Sequence, residues 1–228
     1  MRHKKSYIIL SILAIFLLSV FTSAADVAYI YKNKAAVDKN VISVFKDLNL
    51  TVDLISERKI PQNITSYKFV YIGDESYRYP SNIPISSVSS IISNFYNGPE
   101  FGIVDDDGMG TLAATSPLMV HVYNTSYQVY TKGMTLRKVG IPYYYIDENN
   151  KPEQMKKVAG MAVGMEECSL MTPEMLEAYD HGDVVSYMKS GSTLLNGQVL
   201  DKKLCFFGIS ESKYWTPYAR ELFKKCIG

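Results

Sequence analysis

The sequence predicts an α/β domain over residues 26–228, built on a single doubly wound, mainly parallel sheet with helices on both faces, behind a leader at residues 1–25. Three observations point there. Several short runs are apolar at consecutive positions, as strands buried on both faces are, because a parallel sheet is normally covered on each side. Between them, apolar residues recur at spacings of three and four, which marks one face of a helix. About 200 residues follow the leader, which suits one domain, and no repeat or long linker interrupts them.

The elements follow in order. Val27 to Tyr31 is a short apolar run, and Val37, Val41, Val44, Phe45 and Leu48 then keep helical spacing. Thr51 to Ile55 and Phe69 to Ile72 are β-branched or aromatic and read as strands. Ile85, Val88, Ile91, Ile92 and Phe95 repeat at helical intervals, and Phe101 to Val104 reads as the next strand. From Leu118 to Val163 the chain is less regular and strand-rich, with Leu118 to Val122, Ile141 to Ile146 and Val158 to Val163 as strands. Thr172 can cap a helix that starts at Pro173. Asn196-Gly197 is a tight-turn dipeptide, so Thr193 to Leu195 and Gln198 to Leu200 read as a small hairpin. Lys203 to Phe207 is the closing strand, and a helix capped by Thr216 begins at Pro217.

Composition and the leader bound the function. The chain is 47% hydrophobic and 21% charged, which is globular rather than disordered or fibrous. Met1 to Lys5 is basic, Tyr7 to Phe21 is almost wholly apolar, and Ser23, Ala24 and Ala25 are the small residues that signal peptidase accepts. This order predicts export to the cell surface or beyond, with an uncleaved signal anchor as the alternative tether. Arg2, Lys4 and Lys5 leave with the leader, which takes the formal charge from +1 to −2 and argues against a nucleic-acid partner. No later segment is long and apolar enough to span a membrane.

Three cysteines, Cys168, Cys205 and Cys226, are too few and too odd a number for a small disulfide framework. Cys205 in the closing strand and Cys226 in the helix after it are neighbours that an oxidising space can bridge; buried free thiols are the other reading. Sequons at Asn49, Asn63 and Asn124 all fall in connections, where a sugar can be carried.

In an open parallel sheet the ligand lies where strand carboxyl ends meet loops and helix N-termini. Three loops answer that description: Gly73-Asp74-Glu75-Ser76, Asp105-Asp106-Asp107-Gly108-Met109-Gly110, and Gly208-Ile209-Ser210-Glu211-Ser212. They define a predicted crevice of Gly73, Asp74, Glu75, Asp105, Asp106, Asp107, Gly108, Ser210 and Glu211.

The order of elements and these loops resemble the class I glutamine amidotransferase-like superfamily, whose fold is flavodoxin-like. Leu204 to Ser212, followed by Thr216 to Phe223, resembles that family's last strand, its His-Pro-Glu-Ser loop and its closing helix. Gly102 to Gly110 resembles the elbow that carries the family's cysteine, but aspartates stand where the thiol belongs. The resemblance puts Glu211 on the family's glutamate and Ile209 on its histidine, and isoleucine takes no proton. It therefore implies a domain with its catalytic cysteine and histidine lost, serving as a binding or structural module for a surface protein, a glycan or a small ligand.

The residues also admit other chemistry. His121 and His181 are the histidines after the leader. Cys168 and His181 stand off the three loops and around a predicted helix, so they read as structural. Successive carboxylates at Asp105, Asp106 and Asp107 repel one another unless offset, which suits Ca²⁺ or Mg²⁺; a turn capping the following helix is the alternative, and no other cofactor is implied. A hydrolase using Asp106 or Asp107 with Glu211 as acid and base is the second functional reading. A two-lobed receptor for a small ligand is disfavoured by the absence of a linker. Tyr143, Tyr144 and Tyr145 alternate faces on a strand and cannot form one platform.

Overall fold

The computed structural model describes residues 25–112, 118–132, 142–162 and 182–228. Residues 1–24 of the expected leader, Cys168, His181 and the helix expected from Pro173 lie outside the described residues. Among the described residues eleven strands form one mixed sheet whose main path runs β2-β1-β3-β4-β11-β10-β9-β6-β7. β1 (Val27–Tyr31) lies parallel to β2 (Val52–Ser56) and to β3 (Phe69–Ile72). β4 (Ser90–Ile92) lies parallel to β3 and to β11 (Leu204–Phe207). Beyond β11 every pairing is antiparallel, through β10 (Gly182–Met188), β9 (Lys156–Ala162), β6 (Met119–Val122) and β7 (Thr125–Gln128). β5 (Met109–Leu112) pairs β8 (Tyr143–Asp147), which joins β10.

Three α-helices stand among the described residues: α1 (Lys39–Asp47), the single turn α2 (Gly98–Phe101) and α3 (Pro217–Ile227). The expectation of a mainly parallel, flavodoxin-like α/β sheet with helices on both faces is therefore corrected to a strand-rich mixed sheet. The physical reason lies in what covers each face. On one side α1 and α3 lay Val41, Val44, Phe45, Leu222 and Phe223 against Tyr71 and Phe207. On the other, Ile85, Val88, Ile103, Leu194 and Leu200 cover Ile30, Ile72 and Phe206, and they come from connections rather than long helices. A strand apolar on both faces requires a cover on each, and irregular chain serves if its polar groups are paired.

Two local corrections follow. Ile85 to Phe95, expected as a helix, is a turn followed by β4. Its serines compete for backbone partners, as when Ser90 Oγ donates to Ile85 O and Val88 O at 3.3 and 3.0 Å. Phe101 to Val104, expected as a strand, begins at the end of α2, which has proline in its first turn and stops at Gly102 with φ +68°. The acidic run that follows leads into β5, so residues 102–110 form no strand-to-helix elbow and Asp105, Asp106 and Asp107 cap no helix.

Asp26 anchors the start of β1. Lys68 Nζ approaches its Oδ1 at 2.6 Å, and Thr51 N and Oγ1 donate to Oδ2 at 2.9 and 2.8 Å. The Lys68 hydrogen bond first, then those from Thr51, hold its carboxyl down at about 2. A depressed folded value stabilises the native state above the unfolded carboxylate range, and that contribution is lost as pH falls toward 2. NMR titration is expected to place the Asp26 midpoint near 2 and to move it up toward ordinary carboxylates in Lys68→Ala; an unshifted midpoint in the parent would refute the bonding described.

Candidate functional site

Tyr29 of β1 and Tyr71 of β3 sit in register, their rings 4.8 Å apart and both buried. Beyond them the two strands end together, and the loop after β3 is fastened to the loop after β1. Lys32 N and Asn33 N donate to the Glu75 carboxylate at 3.2 and 2.7 Å. Asn94, just past β4, donates through Nδ2 to Gly73 O at 2.9 Å and Glu75 O at 2.7 Å. Glu75 and Asn94 thus fix the loop that carries Asp74.

The opposite wall comes from α1 and the connection after β11. Asp38 caps α1, its Oδ1 accepting from Asn40 N and Val41 N at 2.8 and 3.2 Å. Its Oδ2 accepts from Ser212 Oγ at 2.5 Å, and its own N–H donates to Tyr29 Oη at 3.0 Å. Gly208 starts the β11 connection where a side chain would run into the Tyr144 carbonyl. The bare backbone lets Tyr144 N donate to Gly208 O and Gly208 N donate to Val184 O.

These elements enclose a cavity of about 350 Å³ whose chemistry is set by Asp38, Asp74, Glu211, Ser210, Lys39 and Lys213, above Tyr29 and Tyr71. Among the described residues no histidine or cysteine lines it. Asp74 keeps solvent access, yet its Oδ2 accepts from Tyr144 Oη at 2.5 Å and its Oδ1 from Phe95 N at 3.4 Å. Desolvation by the walls pushes its carboxyl above the usual range; those two hydrogen bonds oppose the shift and the Glu211 charge adds to it. Burial also raises Tyr144, which stacks on Phe95 at 4.9 Å, and it raises Tyr71 on the floor. Glu211 N donates to Tyr130 Oη at 3.3 Å, which orients the loop.

The predicted crevice is only partly assembled. Asp74, Ser210 and Glu211 line one pocket, and Gly73 and Glu75 brace it. Asp105, Asp106, Asp107 and Gly108 do not line it. The three aspartates are exposed, in a turn where Gly108 N donates to Asp105 O and Asp105 N donates to Asn150 O. The pairing of Asp107 with Glu211 therefore has no common pocket here. Among the described residues no group of three or more His, Cys, Asp or Glu side chains is gathered as a metal ion needs. Ile209 is buried and its carbonyl accepts from Trp215 Nε1.

Sequence reasoning missed Asp38, Lys39 and Lys213. Asp38 had a signal, since an aspartate directly before an apolar helical period is a capping residue, and cap positions face the strand ends.

No protein-family model and no curated protein matches the chain. Among solved structures, the β-galactosidase from the psychrophilic Marinomonas ef1 is similar in fold, with a TM-score of 0.50 at 9% identity over 96% of this chain and 32% of that one. The chain thus spans about a third of that enzyme's length. At such identity the likeness is one of fold alone, in keeping with the mixed sheet, and it does not bear on the amidotransferase-like resemblance. Among the described residues no helix is long and apolar enough to cross a membrane.

Proposed function

We propose that this chain is an exported binding module that holds a small hydroxyl-rich ligand, such as a glycan unit, in the pocket between the ends of β1, β3 and β11. The observation that carries the reading is the convergence of Asp38, Asp74, Glu211 and Ser210 on one cavity of about 350 Å³. Carboxylate oxygens accept from vicinal hydroxyls, and such charge-assisted bonds are stronger than neutral ones. The carboxylates of Asp38 and Asp74 are already oriented by Ser212 and Tyr144, which lowers the cost of ordering on binding.

Export is supported by the leader composition, by the exposed sequon residues Asn49, Asn63 and Asn124, and by a disulfide between Cys205 and Cys226. Calorimetry with a panel of methyl glycosides tests the reading. At least one is expected to bind, and Asp74→Asn, which keeps an acceptor for Tyr144, is expected to weaken it about tenfold. No heat with any glycoside, or unchanged affinity in Asp74→Asn, would overturn it.

One observation favours hydrolysis as a second reading: Asp74 is raised by desolvation while the Glu211 carboxylate stands in the same pocket, as an acid and its partner require. Turnover of an aryl glycoside that Asp74→Asn abolishes would establish it in place of simple binding.

A further inference from the structure

A second concavity, of about 560 Å³, lies on the antiparallel half of the sheet, between the β6–β7 hairpin, β9, β10 and the last turn of α3. Among the described residues its lining is of one sign: Lys156 and Lys225 are exposed and form no ion pair, and no carboxylate lines the cavity. Lys157 also lines it, but its ammonium is engaged with Glu148 at 3.1 Å and Asp183 at 3.6 Å. His121 meets Ser126 Oγ through Nδ1 at 2.9 Å, which leaves Nε2 for a ligand. Two cations on one concave lining in an otherwise near-neutral chain focus a positive potential there.

The apolar part of the site has its own geometry. Val122 and Val158 supply aliphatic surface, and Tyr187 stands half-buried beside Lys156, its register partner. At the rim Tyr123 is 97% exposed, and its φ of +52° lies in the left-handed region that glycine or asparagine normally occupies. The two-residue turn from β6 to β7 itself calls for a positive φ; what the hairpin does not call for is an exposed tyrosine in place of glycine or asparagine.

The geometry points to a second ligand site in this concavity, one that takes an acidic sugar: a carboxylated or sulfated ring whose charge meets Lys156 and Lys225 while its C–H face lies against tyrosine and valine. Aromatic rings beside cations suit such a ligand, since tyrosine offers large apolar area at small entropic cost. A nucleic acid would need a longer basic track than two free lysines provide.

The test is calorimetry of the full chain with tri-galacturonate, with uncharged galactotriose and a ten-nucleotide oligothymidylate as comparators. Tri-galacturonate is expected to bind at least about tenfold more tightly than galactotriose. The double substitution Lys156→Gln with Lys225→Gln is expected to remove about tenfold of that affinity at an unchanged melting temperature, because both side chains are exposed. Tyr123→Gly separates binding from folding: it is expected to weaken tri-galacturonate while leaving the melting temperature equal or higher, since it relieves the left-handed backbone. Equal affinity for the neutral sugar, no loss in the double variant, or tighter binding of the oligonucleotide would each overturn the assignment, as would no binding of tri-galacturonate at about 10 mM.

Discussion

Lys151→Met is expected to destabilise the protein by about 3–5 kcal/mol at neutral pH, because it strands a buried carboxylate. Asp183 on β10 is fully buried, and Lys151 Nζ lies 2.6 Å from its Oδ2 with only 8% of the lysine side chain exposed. Lys157 adds a longer contact at 3.6 Å to Oδ1, which does not replace a hydrogen-bonded ammonium. Burial pushes Asp183 above the usual carboxylate range, and the two lysines oppose that shift. The sign of the pH dependence follows. A carboxyl raised in the folded state takes up its proton before the unfolded one does, so the deficit of the variant shrinks as pH falls through the raised value toward about 4. Urea unfolding of Lys151→Met between pH 7 and pH 5 reads this directly. Adding Asp183→Asn is expected to restore most of the loss, which keeps the test usable if the single variant fails to fold. A single variant with the parent's urea midpoint would show that the pair carries nothing.

Replacing Cys205 and Cys226 together by alanine is expected to cost about 3 kcal/mol, the value that loop-closure entropy gives for this separation. The structure joins these residues, 21 positions apart and with Cα atoms at 5.5 Å, and so clamps α3 onto β11. The connection that carries Ser210, Glu211 and Ser212 runs inside the closed segment. The reduced protein is therefore expected to lose affinity for the pocket's ligand as well as stability, and equal urea midpoints with and without reductant would refute the clamp.

Much of the secondary structure was legible, and the architecture was not. β1, β3 and β11 announce themselves as consecutive apolar residues, and α3 by Thr216 and Pro217 at its start. Those same strands say that both faces are covered without saying by what, so the connection at Ile85 to Val88 reads as the start of a helix. β10 carries Val184, Val185 and Tyr187, a strand composition, but its central antiparallel place between β9 and β11 is a matter of pairing that no local pattern encodes. At the site, the strand-end rule found Asp74, Ser210 and Glu211 because β3 and β11 exist. It misplaced Asp105, Asp106 and Asp107 because the strand expected before them is the end of a helical turn.

The seat of β11 governs how this molecule is made. Leu204 pairs with Ser90 of β4 on one side and Met188 of β10 on the other, so β11, the last strand among the described residues, sits in the middle of the sheet. Until it arrives, β4 and β10 each present an open backbone edge, and the parallel and antiparallel halves have no seam between them. Bringing residue 204 to residue 90 closes a long loop before any contact rewards it, which places folding in the slow, millisecond-to-second class of non-local sheets. A growing polypeptide of this design keeps both edges open to aggregation or to a chaperone until β11 has been synthesised.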